Sequence, residues 1–432
     1  MTRDSGKSPF WKDIHILETL RGGGIFFIIK ILGSLGAYLF AWYVSKKYGA
    51  EGNGILAFTL TLAVLLGAVF NLGLNTYAVK IISNFRAEDN LPKIHLFLRK
   101  TLVVVSQVTI VGSILILILS YLIPYGDLSR ELFLVGFMVI PVSLLLLLSH
   151  VFKARKMILG FSLLQNNIIQ VLALIILVLP MWGRLEPVEP VWAFIIAGMI
   201  MGLIGMFTIN RIFISQPLSD SKSFNFHLRE SFPMLAGGLA FMILNLTDRL
   251  MLRFLDTTEQ LGIYDVALRL SNLTLLGILA LNSIAEPKFA ELYAQNDSKS
   301  LRRFVNRTTW MGIVISIPVI VVLGLFPDIW MGLFGHNDEF LRGTGSLYIL
   351  LVGQAWSVGC GAVLILLNMT GHQRNVQNIL IIAALLNVML NALLIPRLGI
   401  AGASLATLFS TIVWNGCGVW MVKKKLGFWM WI

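Results

Sequence analysis

Five ionisable side chains stand within otherwise apolar sequence: Lys30, Asp248, Arg249, Asp265 and Arg269. A charge in hydrocarbon costs at least about 2.5–3.5 kcal/mol, so such groups face a cavity or a partner. Asn245, Asp248 and Arg249 fall at i, i+3, i+4 on one helical face, and Arg253 extends it. Asp265, Arg269 and Asn272 form a comparable stripe one segment later. Three bases against two acids predict a cavity of net positive potential that would accept an anion. The candidate binding residues are therefore Lys30, Arg249, Arg269, Arg253 and Asn245, with Asp248 and Asp265 as candidate proton- or sodium-coupling groups. Competing readings remain open. Long basic side chains near helix ends can snorkel to the interface, and Asp248 with Arg269, or Asp265 with Arg269, can form structural ion pairs.

The elements that must hold these groups are membrane helices. The mean hydropathy is +0.81, and only 13% of the 432 residues are charged. A span needs about 20 apolar residues. Hydropathy predicts twelve, at 23–44, 54–79, 101–124, 132–149, 159–180, 191–210, 232–252, 262–285, 309–326, 345–368, 376–395 and 401–422. Pro141 and Pro318 predict kinks. The expected fold is all-α and integral to the membrane.

The net charge of +12 is not a nucleic-acid footprint, because it is distributed by topology. With twelve spans, 24 basic residues fall on one side, including Lys153, Arg155 and Lys156, and seven on the other, including Lys46, Arg130 and Arg253. The positive-inside rule then places both termini in the cytoplasm of a multi-pass protein of the cytoplasmic membrane. Phe10, Trp11, Ile14 and Leu17 predict a short interfacial helix within 9–21. Cys360 and Cys417 lie in spans, reading as two buried small residues rather than a disulfide. No histidine pairs with a second metal ligand at helical spacing, and no phosphate loop or Cys/His nucleophile is present. No cofactor and no catalysis are expected.

Polar residues 211–231 divide six spans from six. This predicts a tail at 1–22, a first bundle at 23–213, a linker at 214–231, a second bundle at 232–424 and a tail at 425–432. The halves echo each other: Gly54 and Gly262 open matching segments, and Gln170 and Asn387 follow matching turns. Parallel six-helix repeats place a substrate path at their interface. The amide pairs Asn71/Asn75, Asn166/Gln170 and Asn387/Asn391 serve as interhelical hydrogen-bond glue or as sugar contacts. Most tryptophans, such as Trp42 and Trp429, fall near span ends as an aromatic belt.

Three segments carry a resemblance: Ser45 to Gly54 with Asn71 to Asn75; Thr247 to Leu252 with Leu261 to Leu270; and Asn387 to Ala403. The chain resembles the oligosaccharide flippases, the polysaccharide-transporter branch of the multidrug/oligosaccharidyl-lipid/polysaccharide exporter superfamily. The resemblance implies a V-shaped pair of six-helix bundles around a cationic cavity lined by helices one, two, seven and eight. It implies that an undecaprenyl-diphosphate-linked oligosaccharide is turned across the bacterial or archaeal cytoplasmic membrane by alternating access, for surface polysaccharide synthesis. Guanidinium planes match the diphosphate oxygens. Implied partners are membrane lipid, a polysaccharide polymerase and a chain-length regulator. Two alternatives are a drug/cation antiporter of the same superfamily, which would favour acidic residues in its cavity, and a membrane-embedded polymerase or glycosyltransferase, which would need a larger external loop. A peptidoglycan-precursor flippase would be expected to show more spans.

Overall fold

The computed structural model describes residues 14–88, 90–123, 126–155, 157–165, 168–179, 189–213, 228–335 and 338–430. Among them every regular element is helical. The first half of the chain forms α1 (Ile14–Phe70), α2 (Leu74–Ala87), α3 (Leu91–Leu122), α4 (Asp127–Ala154), α5 (Ile158–Gln165), α6 (Ile168–Val178) and α7 (Pro190–Phe213). The second half forms α8 (Phe232–Leu255), α9 (Thr258–Asn272), α10 (Leu276–Ala294), α11 (Ser298–Leu325), α12 (Pro327–Gly332), α13 (Thr344–Cys360), α14 (Val363–Met369), α15 (Gln373–Leu398) and α16 (Ile400–Leu426). Nine helical segments among the described residues are long and apolar enough to cross a membrane, or ten if the bent pair α5/α6 is one span. The chain is an all-α integral membrane protein.

That number differs from the twelve spans expected, for two physical reasons. α1 is one element of 57 residues, yet its backbone turns at Gly49 (φ 70°, ψ −171°), a conformation suited to glycine. The residues on either side of Gly49 are therefore two limbs. α8 carries three charged side chains, Asp248, Arg249 and Arg253, within its C-terminal half, more than an apolar span tolerates.

Several expected spans are interrupted. The segment 54–79 breaks at Asn71–Gly73, where Gly73 takes φ 74°. The segment 159–180 bends by 59° between α5 and α6. The segment 345–368 breaks at Gly361 (φ 69°). A broken helix frees backbone carbonyls, which is tolerated at membrane depth where protein or a water-filled cavity covers them. By contrast, α4 and α11 continue through Pro141 and Pro318. The expected interfacial helix is not separate where it is described, because α1 runs without interruption from Ile14. Its residues before 14, and residues 214–227 of the expected linker, lie outside the described residues.

Packing follows the apolar faces. In the first half α1, α2, α3, α5 and α7 all pack against α4. In the second, α16 packs on α13 and α15, and α15 packs on α8. One core joins the halves: Ala50, Ala57 and Phe58 of α1 meet Leu252, Ile263 and Tyr264. Leu115, Leu203 and Val314 are exposed aliphatics that would meet acyl chains. Cys360 is buried as expected, but Cys417 is exposed, because its position on α16 faces away from the packed helices.

Candidate functional site

α8 and α9 are joined by Asp256 and Thr257, whose side chain caps α9 by accepting from the Gln260 amide at 3.2 Å. This tight connection sets the two charged stripes side by side. Asp265 is fully buried, and its two carboxylate oxygens each accept from a guanidinium: Arg249 Nε at 2.7 Å and Arg269 Nε at 2.5 Å. Two guanidiniums therefore share one carboxylate, and Asp248 is the second acid near Arg249. Each arginine engages Asp265 through Nε, so the terminal NH2 groups remain as further donors. Tyr38 of α1 donates to the Arg269 carbonyl at 2.6 Å and brings the first half against this cluster.

Asp248 is also buried, but its hydrogen-bond partners are neutral. Its carboxylate accepts from Asn391 Nδ2 at 2.8 Å, from Tyr264 Oη at 2.9 Å and from Thr407 Oγ1. These donors come from α15, α9 and α16. Among the described residues no cation lies within ion-pair distance of it. Asn391 also reaches the Asn387 backbone and side-chain oxygens at 3.0 Å. Asn71 similarly ties α1 to α4 through Ser143. Asn71 and Asn391 thus contribute interhelical bonds, while Asn166 lies outside the described residues.

Asp248 and Arg249 face a cavity of 320 Å³ lined by residues of the second half, rather than by both halves as the resemblance implies, with Asn245, Asn272, Gln354 and Trp414 also on its wall. Asn245 is exposed and donates Nδ2 to the Phe241 carbonyl at 2.7 Å, one turn back. The other sequence-selected groups lie elsewhere. Arg253, partly buried, pairs with the buried Glu131 of α4 at 2.7 Å. Lys30 is half-buried on α1 and is not on the cavity wall. The structure therefore joins Arg249, Arg269 and Asp265 in one cluster, sets Asn245 and Asp248 beside it, and turns Arg253 to a different contact.

Three participants were missed in the sequence. Glu131 precedes the apolar stretch at 132 by one residue, so hydropathy alone gives no sign that it lies within α4. Tyr264 and Thr407 carry no intrinsic charge signal, and only the fold brings them to Asp248. Tyr264 is one residue from Asp265 in sequence, which turns it about 100° round the helix from that stripe.

The helical scaffold and its buried charges define a transporter-like membrane fold. Solved structures agree. A MATE family multidrug resistance transporter of the MOP superfamily, in an inward-facing conformation, superposes with a TM-score of 0.73 at 12% identity, over 93% of this chain and 98% of that one. The lipid II flippase MurJ, in an inward closed conformation, gives 0.63 at 15% identity, over 94% and 87%.

The family model described as polysaccharide biosynthesis protein matches residues 19–292, and one described as MatE matches 233–393. The first covers more than half of the chain, which belongs to the polysaccharide biosynthesis protein family. The probable flippase AglR of Haloferax volcanii is 27% identical over 218 residues, 50% of this chain and 45% of that protein. An uncharacterized membrane protein of Methanocaldococcus jannaschii, MJ1068, is 24% identical over 194 residues, 45% of this chain and 38% of that protein. The matched region spans less than half the length of either relative.

Proposed function

We propose that this protein is a flippase for a polyprenyl-diphosphate-linked oligosaccharide, with the undecaprenyl carrier that the resemblance implies. It carries the lipid from the inner to the outer leaflet of the cytoplasmic membrane by alternating access. One observation carries the reading: Arg249 and Arg269 share the single carboxylate of Asp265, and Arg249 opens onto a polar cavity. Guanidiniums held at membrane depth are costly without anionic partners, and a visiting diphosphate would add to the one carboxylate that these two share. The likeness to a probable flippase and to MurJ supports the same class.

In this reading the terminal NH2 groups of Arg249 and Arg269 hold the diphosphate, and Asp265 orients them. Lys30, on α1, meets the anion at a second depth. The halves on either side of residues 214–227 rock against each other, and both termini face the cytoplasm. The polyprenyl tail stays in lipid, and a polysaccharide polymerase with its chain-length regulator receives the product. Coupling to an ion falls to Asp248 rather than Asp265, because Asp248 has only neutral hydrogen-bond partners while Asp265 is committed to two guanidiniums.

The test is Arg249→Ala and Arg269→Ala in a polysaccharide-export complementation assay with membrane levels controlled. Loss of export at normal protein level is expected from each. Full export by both variants would reject the assignment.

A further inference from the structure

The cavity beside Arg249 is built for more than an anion. It lies at the depth of α8, α13, α15 and α16, yet its wall holds carboxamides and hydroxyls: Asn245, Asn272, Gln354, Ser357 and Thr411. Polar groups at that depth are expensive without partners. Gln354 Nε2 donates to Asn272 Oδ1 at 3.2 Å. This leaves an acceptor on Gln354 and a donor pair on Asn272, the complement of a hydroxyl that both donates and accepts. Asn245 uses its Nδ2 on its own helix, so its Oδ1 remains an acceptor toward the cavity.

Trp414 closes the wall from the middle of α16. The interfacial belt accounts for tryptophans at span ends, but not for one at this position. An indole presents an apolar face with a polar edge, which suits the C–H face of a sugar ring. The volume of 320 Å³ is at the small end of ligand pockets, about 300–1,000 Å³. It has room for one or two sugar rings and not for a whole oligosaccharide or a prenyl chain.

We propose that this cavity is a glycan subsite that takes the sugar joined directly to the diphosphate, stacking it on Trp414 and bonding its hydroxyls to Gln354, Asn272 and Asn245, while Arg249 holds the phosphate at the rim. The inference rests on the flippase reading and deepens it, because it makes the second half of the chain the reader of sugar identity.

The experiment measures binding to purified protein in nanodiscs. The probes are farnesyl diphosphate and its glucosyl, N-acetylglucosaminyl and glucuronosyl derivatives. At least one glycosylated probe is expected to bind tenfold or more tightly than farnesyl diphosphate. Trp414→Leu and Gln354→Leu, each checked for a cooperative thermal transition, should bring that ratio toward one. A native ratio near one for all three sugars, or a ratio that survives both substitutions, overturns the subsite. Arg249→Ala tests the underlying reading separately: unchanged binding of bare farnesyl diphosphate would reject the diphosphate site, whereas the ratio among glycosylated probes reports only the sugar pocket.

Discussion

Gly54 of α1 and Gly262 of α9 meet backbone to backbone across the two halves of the chain. A Cβ on Gly262 would stand 1.8 Å from the Ala50 carbonyl oxygen and 2.8 Å from the Gly54 nitrogen. One on Gly54 would stand 1.9 Å from the Thr258 carbonyl oxygen. The contact is fixed by Asn53 Nδ2 donating to the Gly262 carbonyl at 2.9 Å and by the Ala50 amide donating to Glu339 Oε1 at 2.9 Å. The end of the molecule that carries the Gly49 bend is thus closed between the halves.

Gly262→Ala must separate these backbones, since no side chain is available to move aside. Overpacking costs about 1–3 kcal/mol, and a backbone clash belongs at the upper end. The expected outcome is a lower melting temperature, together with greater labelling of a cysteine placed at the buried Ala50, because the closed end is disfavoured. An unchanged melting temperature and unchanged labelling would show that the close approach is not maintained in the membrane.

The ion pair between Arg253 and Glu131 lies at the same end, with Arg253 also over the Phe58 ring. Removing one partner of a buried pair costs about 3–5 kcal/mol, whereas replacing both with apolar groups is often neutral. Arg253→Met should therefore destabilise the protein more than the double variant Glu131→Leu/Arg253→Met. Thermal denaturation of the two variants checks this ordering, and the reverse order would make the pair incidental to closure.

Asp265 is the hub of the arginine cluster. Asp265→Asn leaves two largely buried guanidiniums beside each other without the carboxylate that they share. Its loss of stability should exceed that of Arg249→Ala or Arg269→Ala, each of which leaves one pair intact. Melting temperatures of the three variants in one detergent decide the ranking. If Asp265→Asn is the mildest, the carboxylate is not what holds the arginines.

The sequence made parts of this legible for identifiable reasons. Hydropathy locates the spans because each must be apolar over its own length, a local property. The stripes Asn245–Asp248–Arg249 and Asp265–Arg269–Asn272 were visible because helical spacing is local too. Gly54 and Gly262 stood out as a repeat, although their mutual contact did not. The partners of Asp248 come from elements more than 140 positions away in sequence for Asn391 and Thr407, so no local pattern announces them. Arg253 extends the α8 stripe by spacing alone, but α4 presents Glu131 to it, and that choice is made by tertiary packing. Breaks such as Gly361 are equally hidden, because an apolar stretch reads the same whether or not its backbone turns.

Asp248 supplies the most discriminating prediction about energy coupling. Its carboxylate is surrounded by Tyr264, Asn391 and Thr407, all able to donate to it. Asp248→Asn is nearly isosteric and keeps one oxygen acceptor, but it turns the other oxygen into an amide that faces donors. Hydrogen bonds to a charged group contribute about 1.5–3 kcal/mol, so a moderate fall in melting temperature is expected while the fold persists. If Asp248 takes up the coupling ion, the variant reconstituted in proteoliposomes should flip lipid-linked sugar at a rate that no longer responds to imposed proton or sodium gradients. Arg249→Ala should instead lower the rate under every gradient. A native-like gradient response in Asp248→Asn would assign the carboxylate to holding α8 against α15 and α16, and would place any coupling elsewhere.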